Sequence, residues 1–321
     1  MLFRSFLSLV QRLPPRWQDL CRQRKIDARE LAQERHGETL SKKTYEDTYV
    51  ASLRIFLRDS IAQLQDQGFP TTLTVDGLAY VGERAGAENK QRAFRPEELK
   101  RLFEGEEMRS FANDPKLVQR FWLPHLGLFT GARVNELCQI NPQTDVQTDP
   151  ATGISYLLLT EGKEADPEIV KTIKTGVTRV VPVHDSLLKL GFLEYVNVLK
   201  SHGATRLFPD WKPRDKRASP NAIKWFSRFL DEIGLRGVAN ESGKALRGTH
   251  AFRHTLLTYG KLHPDRLNLR CITGHKEPSS NPVADGYEDE TMLETLADKA
   301  ALLNRLTFEI DFATPVLPSL V

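Results

Sequence analysis

The sequence is poor in the residues that build metal centres, disulfide frameworks and membrane spans. Its 321 residues hold three cysteines, at positions 21, 138 and 271. Spaced so widely, they form neither a zinc-binding pattern nor a bridged scaffold, and a reducing cytoplasm is the compartment that suits them. No apolar run approaches the roughly 20 residues of a membrane helix. The opening stretch, residues 1–10, is too short and too interrupted for a secretory signal, and acids from Asp19 onward disfavour an organelle presequence, so a plain first helix is expected there. Internal repeats and low-complexity tracts are absent. A true phosphate loop is absent as well: Gly237 to Ala245 has one residue too many between its glycines, and Ala245 stands where a hydroxyl would have to hold magnesium.

What remains is an ordinary soluble composition, 40% hydrophobic and 27% charged, with length for two domains and a core in each. The net charge of +3 is small, but it is unevenly spread. Residues 1–43 carry ten Lys/Arg against five Asp/Glu, residues 211–276 carry fourteen against five, and residues 277–321 carry two against nine. The two basic blocks are candidate phosphate-contacting surfaces, the alternative being solvated helix faces.

Residues from about 15 to 82 read as helical, with Tyr49-Val50, Leu53, Phe56-Leu57, Ile61 and Leu64 at helical spacing, a stop at Gly68-Phe69-Pro70 and a second apolar stretch to Val81. Residues 82–93 are polar, small and aperiodic, and read as a linker. A helix restarts at Arg95-Pro96-Glu97-Glu98-Leu99, with proline and acids in its first turn. A buried helix over 118–138 is expected to carry Arg133 near its end. Ile154 to Leu159 and Val177 to Val183 are β-branched and apolar, and predict a small antiparallel sheet whose connecting loop contains Lys171, Lys174 and Gly176. Helices are expected over 184–201, 220–234, 249–260, 264–273 and 290–305. The fold class is therefore mainly α with a small antiparallel β-sheet (α+β): a helical domain over 1–92, its linker at about 82–93, and a mostly helical second domain over 93–321.

Chemistry resides in a scattered set of residues. His250 and Arg253 are three apart on an expected helix and leave it on one face. A guanidinium fork grips phosphate in bidentate fashion, and an adjacent imidazole donates to another oxygen. Arg133 supplies a second guanidinium and His275 a further donor, as a transition state with charge building on non-bridging oxygens requires. Tyrosine forms covalent intermediates, and Tyr287 is the last tyrosine. A leaving oxygen needs a proton, and Lys174 is the candidate donor, with Lys171 as the alternative. Each residue alone has a structural reading: a surface ion pair, a polar filler, a core tyrosine. His250 and His254 have a spacing that can chelate zinc, but no clear third ligand follows. Glu136, three residues after Arg133, reads as its ion-pair partner rather than a base.

Together, the local contexts resemble the tyrosine recombinase (phage integrase) family. Thr130-Gly131-Ala132-Arg133-x-x-Glu136-Leu137 is similar to its first arginine box, and Thr172-Ile173-Lys174-Thr175-Gly176 before Arg179-Val180-Val181-Pro182-Val183 to its lysine-bearing hairpin. His250-Ala251-Phe252-Arg253-His254-Thr255 is similar to its His-x-x-Arg-His box, and Thr273-Gly274-His275 to its Gly-His box, with Tyr287 as nucleophile. The resemblance covers residues 93–305. It implies a core-binding domain ahead of a catalytic domain of the DNA breaking-rejoining type. It also implies attack by Tyr287 on a DNA phosphate, a 3′-phosphotyrosyl link, no ATP, metal or other cofactor, and double-stranded DNA held by a homotetramer on two sites. The interval from His275 to Tyr287 is longer than the usual family spacing and its neighbours are acidic. The rival readings are a type IB topoisomerase and a DNA-binding accessory protein of a mobile element. The apolar tail from Leu306 is expected to pack either on its own domain or on a neighbouring protomer.

Overall fold

The computed structural model describes residues 2–75, 79–81, 91–162, 166–275 and 295–317. The chain divides into two compact units, residues 1–89 and 90–321. No helix among the described residues is long and apolar enough to cross a membrane.

The first unit is helical: α1 (Leu2–Val10), α2 (Trp17–Arg24), α3 (Ala28–Leu31), α4 (Lys42–Thr44) and α5 (Ala51–Leu64). Asp27 caps α3 by accepting from the N–H groups of Arg29 and Glu30, and Ser41 caps α4 through Thr44. Leu7, Val10, Leu31, Leu40, Tyr45 and Leu57 form its core. A π-helical stretch, Tyr45–Val50, joins α4 to α5. Its wider turn shifts the phase of the apolar stripe, and Phe56, a stripe residue by spacing, is 54% exposed. The α-helix ends at Leu64 and runs into a single 3-10 turn, Gln65–Gln67; no further helix follows in the described part of 68–81. Several basic residues of this unit pair within it, Arg16 and Arg22 with Asp19 and Arg24 with Glu34.

The second unit begins with α6 (Pro96–Phe103), α7 (Glu106–Asn113), α8 (Val118–Thr130) and α9 (Val134–Cys138). A three-stranded antiparallel sheet follows, β1 (Val146–Thr148), β2 (Ser155–Leu159) and β3 (Arg179–Pro182), in the order β1-β2-β3. Val146 faces Leu157, which faces Val181, and all three are buried, so one face of the sheet joins the core. The strand β1 goes beyond the two-run expectation. Then come α10 (Asp185–Lys189), α11 (Phe192–Ser201), α12 (Pro220–Glu232), α13 (His250–Leu262), α14 (Arg270–Thr273) and α15 (Leu296–Asn304).

Three elements depart from the sequence reading. The helix expected over 118–138 is two helices. The Thr130 hydroxyl bonds back to the Leu126 carbonyl and also accepts from the Ala132 N–H, Gly131 takes φ +56°, and α8 ends there. The span 184–201 is broken by Gly191, with φ +85°. The helix expected over 264–273 shrinks to α14, because Pro264 and a left-handed Arg266 hold residues 264–269 out of helix.

The buried helix α8 packs on α13 through glycine. A Cβ on Gly127 would lie 2.6 Å from Phe252 Cδ2, and one on Gly131 would lie 2.8 Å from Leu256 Cδ2 and 2.9 Å from Thr273 Cγ2. The stretch after α15 lies on its own domain. Phe308 packs on Phe129 and Tyr259, Phe312 packs on Phe103 and His125, and the Val316 N–H donates to the Ala112 carbonyl. His184 accepts at Nδ1 from the Ser186 N–H, so its Nε2–H donates to the Leu306 carbonyl at 3.1 Å.

Candidate active site

Arg133 is not a helix-interior residue. Gly131 turns the chain out of α8, and Arg133 sits in extended conformation as the N-cap of α9. Glu136, in the first turn of α9, accepts from the Arg133 backbone N–H and from its Nη1, both at 2.9 Å. Its Oε2 also accepts from Arg179 Nη2 at 2.6 Å. This carboxylate is 1% exposed. Burial opposes its ionisation, but the Arg179 hydrogen bond and charge, then the backbone and side-chain hydrogen bonds of Arg133, hold its pKa below the usual carboxylate range.

Arg179 is the residue of this cluster to which sequence reasoning gave no role. It opens β3 inside a β-branched apolar run, and a buried arginine in such a run must be paired. Its Nε donates to the Ile272 carbonyl at 3.3 Å, while Nη1 is buried without a partner among the described residues. A Cβ on Gly274 would come within 2.9 Å of Arg179 Cδ, so glycine is required where α14 runs into His275.

His250 is the first residue of α13, and Arg253 follows on the same face one turn later. Arg253 is 2% exposed. Its Nη1 donates to the Gly131 carbonyl at the C-terminus of α8, at 3.1 Å, where the helix dipole favours a cation. Its Nε and Nη2 lie 3.2–3.4 Å from the ring nitrogens of His275. The Thr273 hydroxyl has the Leu269 and Arg270 carbonyls to donate to, so His275 Nδ1–H donates to Thr273 Oγ1 at 2.8 Å and Nε2 accepts from Arg253.

The electrostatics follow from this crowding. Packing around the ring, then the charges of His254, Arg253, Arg133 and Lys174, push His250 down to about 4, although part of its side chain remains open to solvent. Burial, then Arg253, Arg133, Arg270 and His250, push His275 to about 4. Arg253 falls to about 10 through burial and the charges of Arg133 and Arg179. Arg133, His250, Arg253 and His275 thus lie within charge range of one another.

Lys174 occupies a tight turn between β2 and β3, closed by the Gly176 N–H donating to the Ile173 carbonyl, and is exposed. It makes no hydrogen bond or ion pair among the described residues, and its charge reaches His250. Lys171, the alternative, is buried in an ion pair with Asp145 at 2.6 Å. Tyr287 lies outside the described residues. Tyr259, the other late tyrosine, packs on Phe308 and is pushed up to about 12 by burial, which suits a core residue. The His250 and His254 rings meet edge-on, with centroids 5.0 Å apart. The loop 237–246 is closed on itself by Asn240, whose side chain accepts from the Ser242 and Lys244 N–H groups. In the second basic block, Lys212, Arg214, Lys216, Arg217, Lys224 and Arg228 are all exposed.

No family model and no curated protein matches the chain. Among solved structures, it is similar to the XerH site-specific recombinase bound to difH substrate, at 19% identity and a TM-score of 0.48, over 74% of this chain and 60% of that one. It is similar to a lambda integrase tetramer bound to a Holliday junction at 19% identity and a TM-score of 0.43, over 77% and 61% of the two chains. The Tn1549 transposon integrase in complex with circular intermediate DNA matches at 17% identity and a TM-score of 0.43, over 74% and 73%. The chain therefore spans about three fifths of the XerH chain and of the lambda integrase chain in that tetramer.

Proposed function

We propose that this chain is a tyrosine-type site-specific DNA recombinase, a DNA strand transferase. The observation that carries the reading is the cluster of Arg133, His250, Arg253 and His275, drawn from three separate segments around one buried carboxylate, Glu136. Such a cluster is built to hold an anion, and the exposed basic surface beside it suits a polyanion.

In this mechanism the forks of Arg133 and Arg253 hold the two non-bridging oxygens of a DNA phosphate. His250, neutral at pH 7, offers one N–H donor as charge grows there, while His275, its Nδ1–H given to Thr273 and its Nε2 accepting from Arg253, holds the Arg253 fork in place. Tyr287 Oη attacks phosphorus, and its proton passes to the unprotonated nitrogen of His250. The P–O5′ bond breaks, and the leaving oxygen takes a proton from Lys174 Nζ. The products are a 3′-phosphotyrosyl link and a free 5′-hydroxyl. A 5′-hydroxyl of a partner strand reverses the step, so the bond energy is conserved without nucleotide or metal. Four copies around two duplexes would exchange strands.

The test uses a duplex selected from a random-sequence pool by the Tyr287→Phe chain, then nicked just 3′ of the scissile phosphate so that the freed strand diffuses away. The parent chain is expected to yield a protein–DNA adduct that survives denaturation, and Tyr287→Phe none. An adduct that persists in Tyr287→Phe removes Tyr287 as nucleophile. Relaxation of a single supercoiled plasmid lacking the selected site would point to a topoisomerase instead.

A further inference from the structure

The Lys174 side chain makes no hydrogen bond or ion pair among the described residues, yet the root of its turn is clamped. Gln139, the C-cap of α9, is 2% exposed and meets the backbone of Thr172 on both sides. Its Oε1 accepts from the Thr172 N–H at 3.1 Å, and its Nε2 donates to the Thr172 carbonyl at 3.3 Å and to the Thr160 carbonyl of the opposite arm at 3.4 Å. This double contact fixes the amide, since a flipped one would set N–H against N–H. Asn135, one turn earlier on α9, donates to Gln139 Oε1 at 3.1 Å and reaches Thr172 Oγ1 at 3.4 Å. Just past the clamp, the Ile173 N–H donates to Glu161 at 2.7 Å, and Ile173 opens the turn that carries Lys174.

One five-residue helix, α9, therefore holds both sides of the chemistry. Arg133 caps its first turn, and Gln139 closes its last onto the lysine-bearing loop. We propose that Gln139, braced by Asn135, is a positioning residue that sets the height of Lys174 over the phosphate gripped by Arg133. The inference rests on the reading of Lys174 as proton donor. Gln139 touches no reacting atom; it acts through the Thr172 backbone, two residues from Lys174.

The experiment uses the nicked duplex in two forms, one with the ordinary 5′-bridging oxygen and one with sulfur there, a leaving group that needs no proton. Gln139→Met keeps the volume and removes the hydrogen bonds. It is expected to slow single-turnover cleavage of the oxygen duplex roughly tenfold or more, a fraction of what a general acid contributes, with DNA affinity unchanged and only a modest fall in thermal midpoint. The defect should nearly vanish on the sulfur duplex, as it should for Lys174→Ala. If sulfur rescues Lys174→Ala but not Gln139→Met, the positioning role is overturned; parental rates for Gln139→Met on oxygen overturn it too. If sulfur fails to rescue Lys174→Ala, the proton-donor reading itself falls. Should Gln139→Met fail to fold, Gln139→Glu, which keeps the acceptor for the Thr172 N–H, carries the same comparison.

Discussion

His250 and His275 are set to be neutral when the site is empty. Both fall to about 4, against an ordinary imidazole value of 6.5. The sign follows directly. As pH falls from 6.5 towards 4, an unfolded chain binds protons on these rings and the folded chain does not, so folding stability declines through that window. An anion in the site reverses the preference, because its charge offsets that of Arg133 and Arg253 and lifts both imidazoles towards their usual range. Duplex binding at about pH 5.5, between the depressed and ordinary values, is therefore expected to take up protons. Titration calorimetry in two buffers of different ionisation heat would show it as a buffer-dependent enthalpy, reduced in His275→Asn. Equal heats in both buffers would show that the rings do not face the bound phosphate.

The elements that aim these residues depend on close approach. Gly127 lets α8 lie against the Phe252 ring of α13, the helix that bears His250 and Arg253. Gly127→Ala would place a methyl 2.6 Å from Phe252 Cδ2. Overpacking of this kind typically costs about 1–3 kcal/mol, to be read as a lower urea midpoint with an unchanged slope. A neutral result would mean that Phe252 has room to swing away.

Periodicity made α12, α13 and the strands β2 and β3 legible, because each is amphipathic or β-branched over its length. The order of boxes made Arg133, His250, Arg253 and His275 legible as a set. The break at residues 131–133 was not, since Val134 and Leu137 continue the apolar pattern of α8 and only the left-handed Gly131 and the Thr130 hydroxyl end it. β1 is three residues long and lacks an apolar run. Arg179 carried only the signal of a cation in an apolar run, which does not name its partner, and Gln139 carried no local signal. Their partners, Glu136 in one case and Thr160 and Thr172 in the other, are remote in sequence, and only tertiary contact reveals them.

On the scale of the molecule, two units with separate cores each present basic side chains to solvent. Affinity for DNA that rests on phosphate contacts falls with salt, with a logarithmic slope of about −0.9 for each phosphate neutralised. Residues 91–321 contain a complete core and should fold alone. This fragment is expected to bind the selected duplex with a shallower salt slope than the full chain, and Lys224→Gln together with Arg228→Gln should flatten it by a further one to two, roughly one for each cation lost. Fluorescence anisotropy across a salt series measures both. Identical slopes for fragment and full chain would remove the first unit from the interface.

The buried carboxylate of Glu136 has a consequence for selectivity along the proposed reaction coordinate. Among the described residues, Glu136 cancels one of the four positive charges of Arg133, Lys174, Arg179 and Arg253, and with both imidazoles neutral three remain uncompensated. A phosphodiester at rest brings one negative charge; the pentacoordinate species brings close to two. If the proposed reaction holds, a resting phosphodiester leaves this pocket further from neutrality than the pentacoordinate species does, so its preference lies with the fleeting geometry over the stable one.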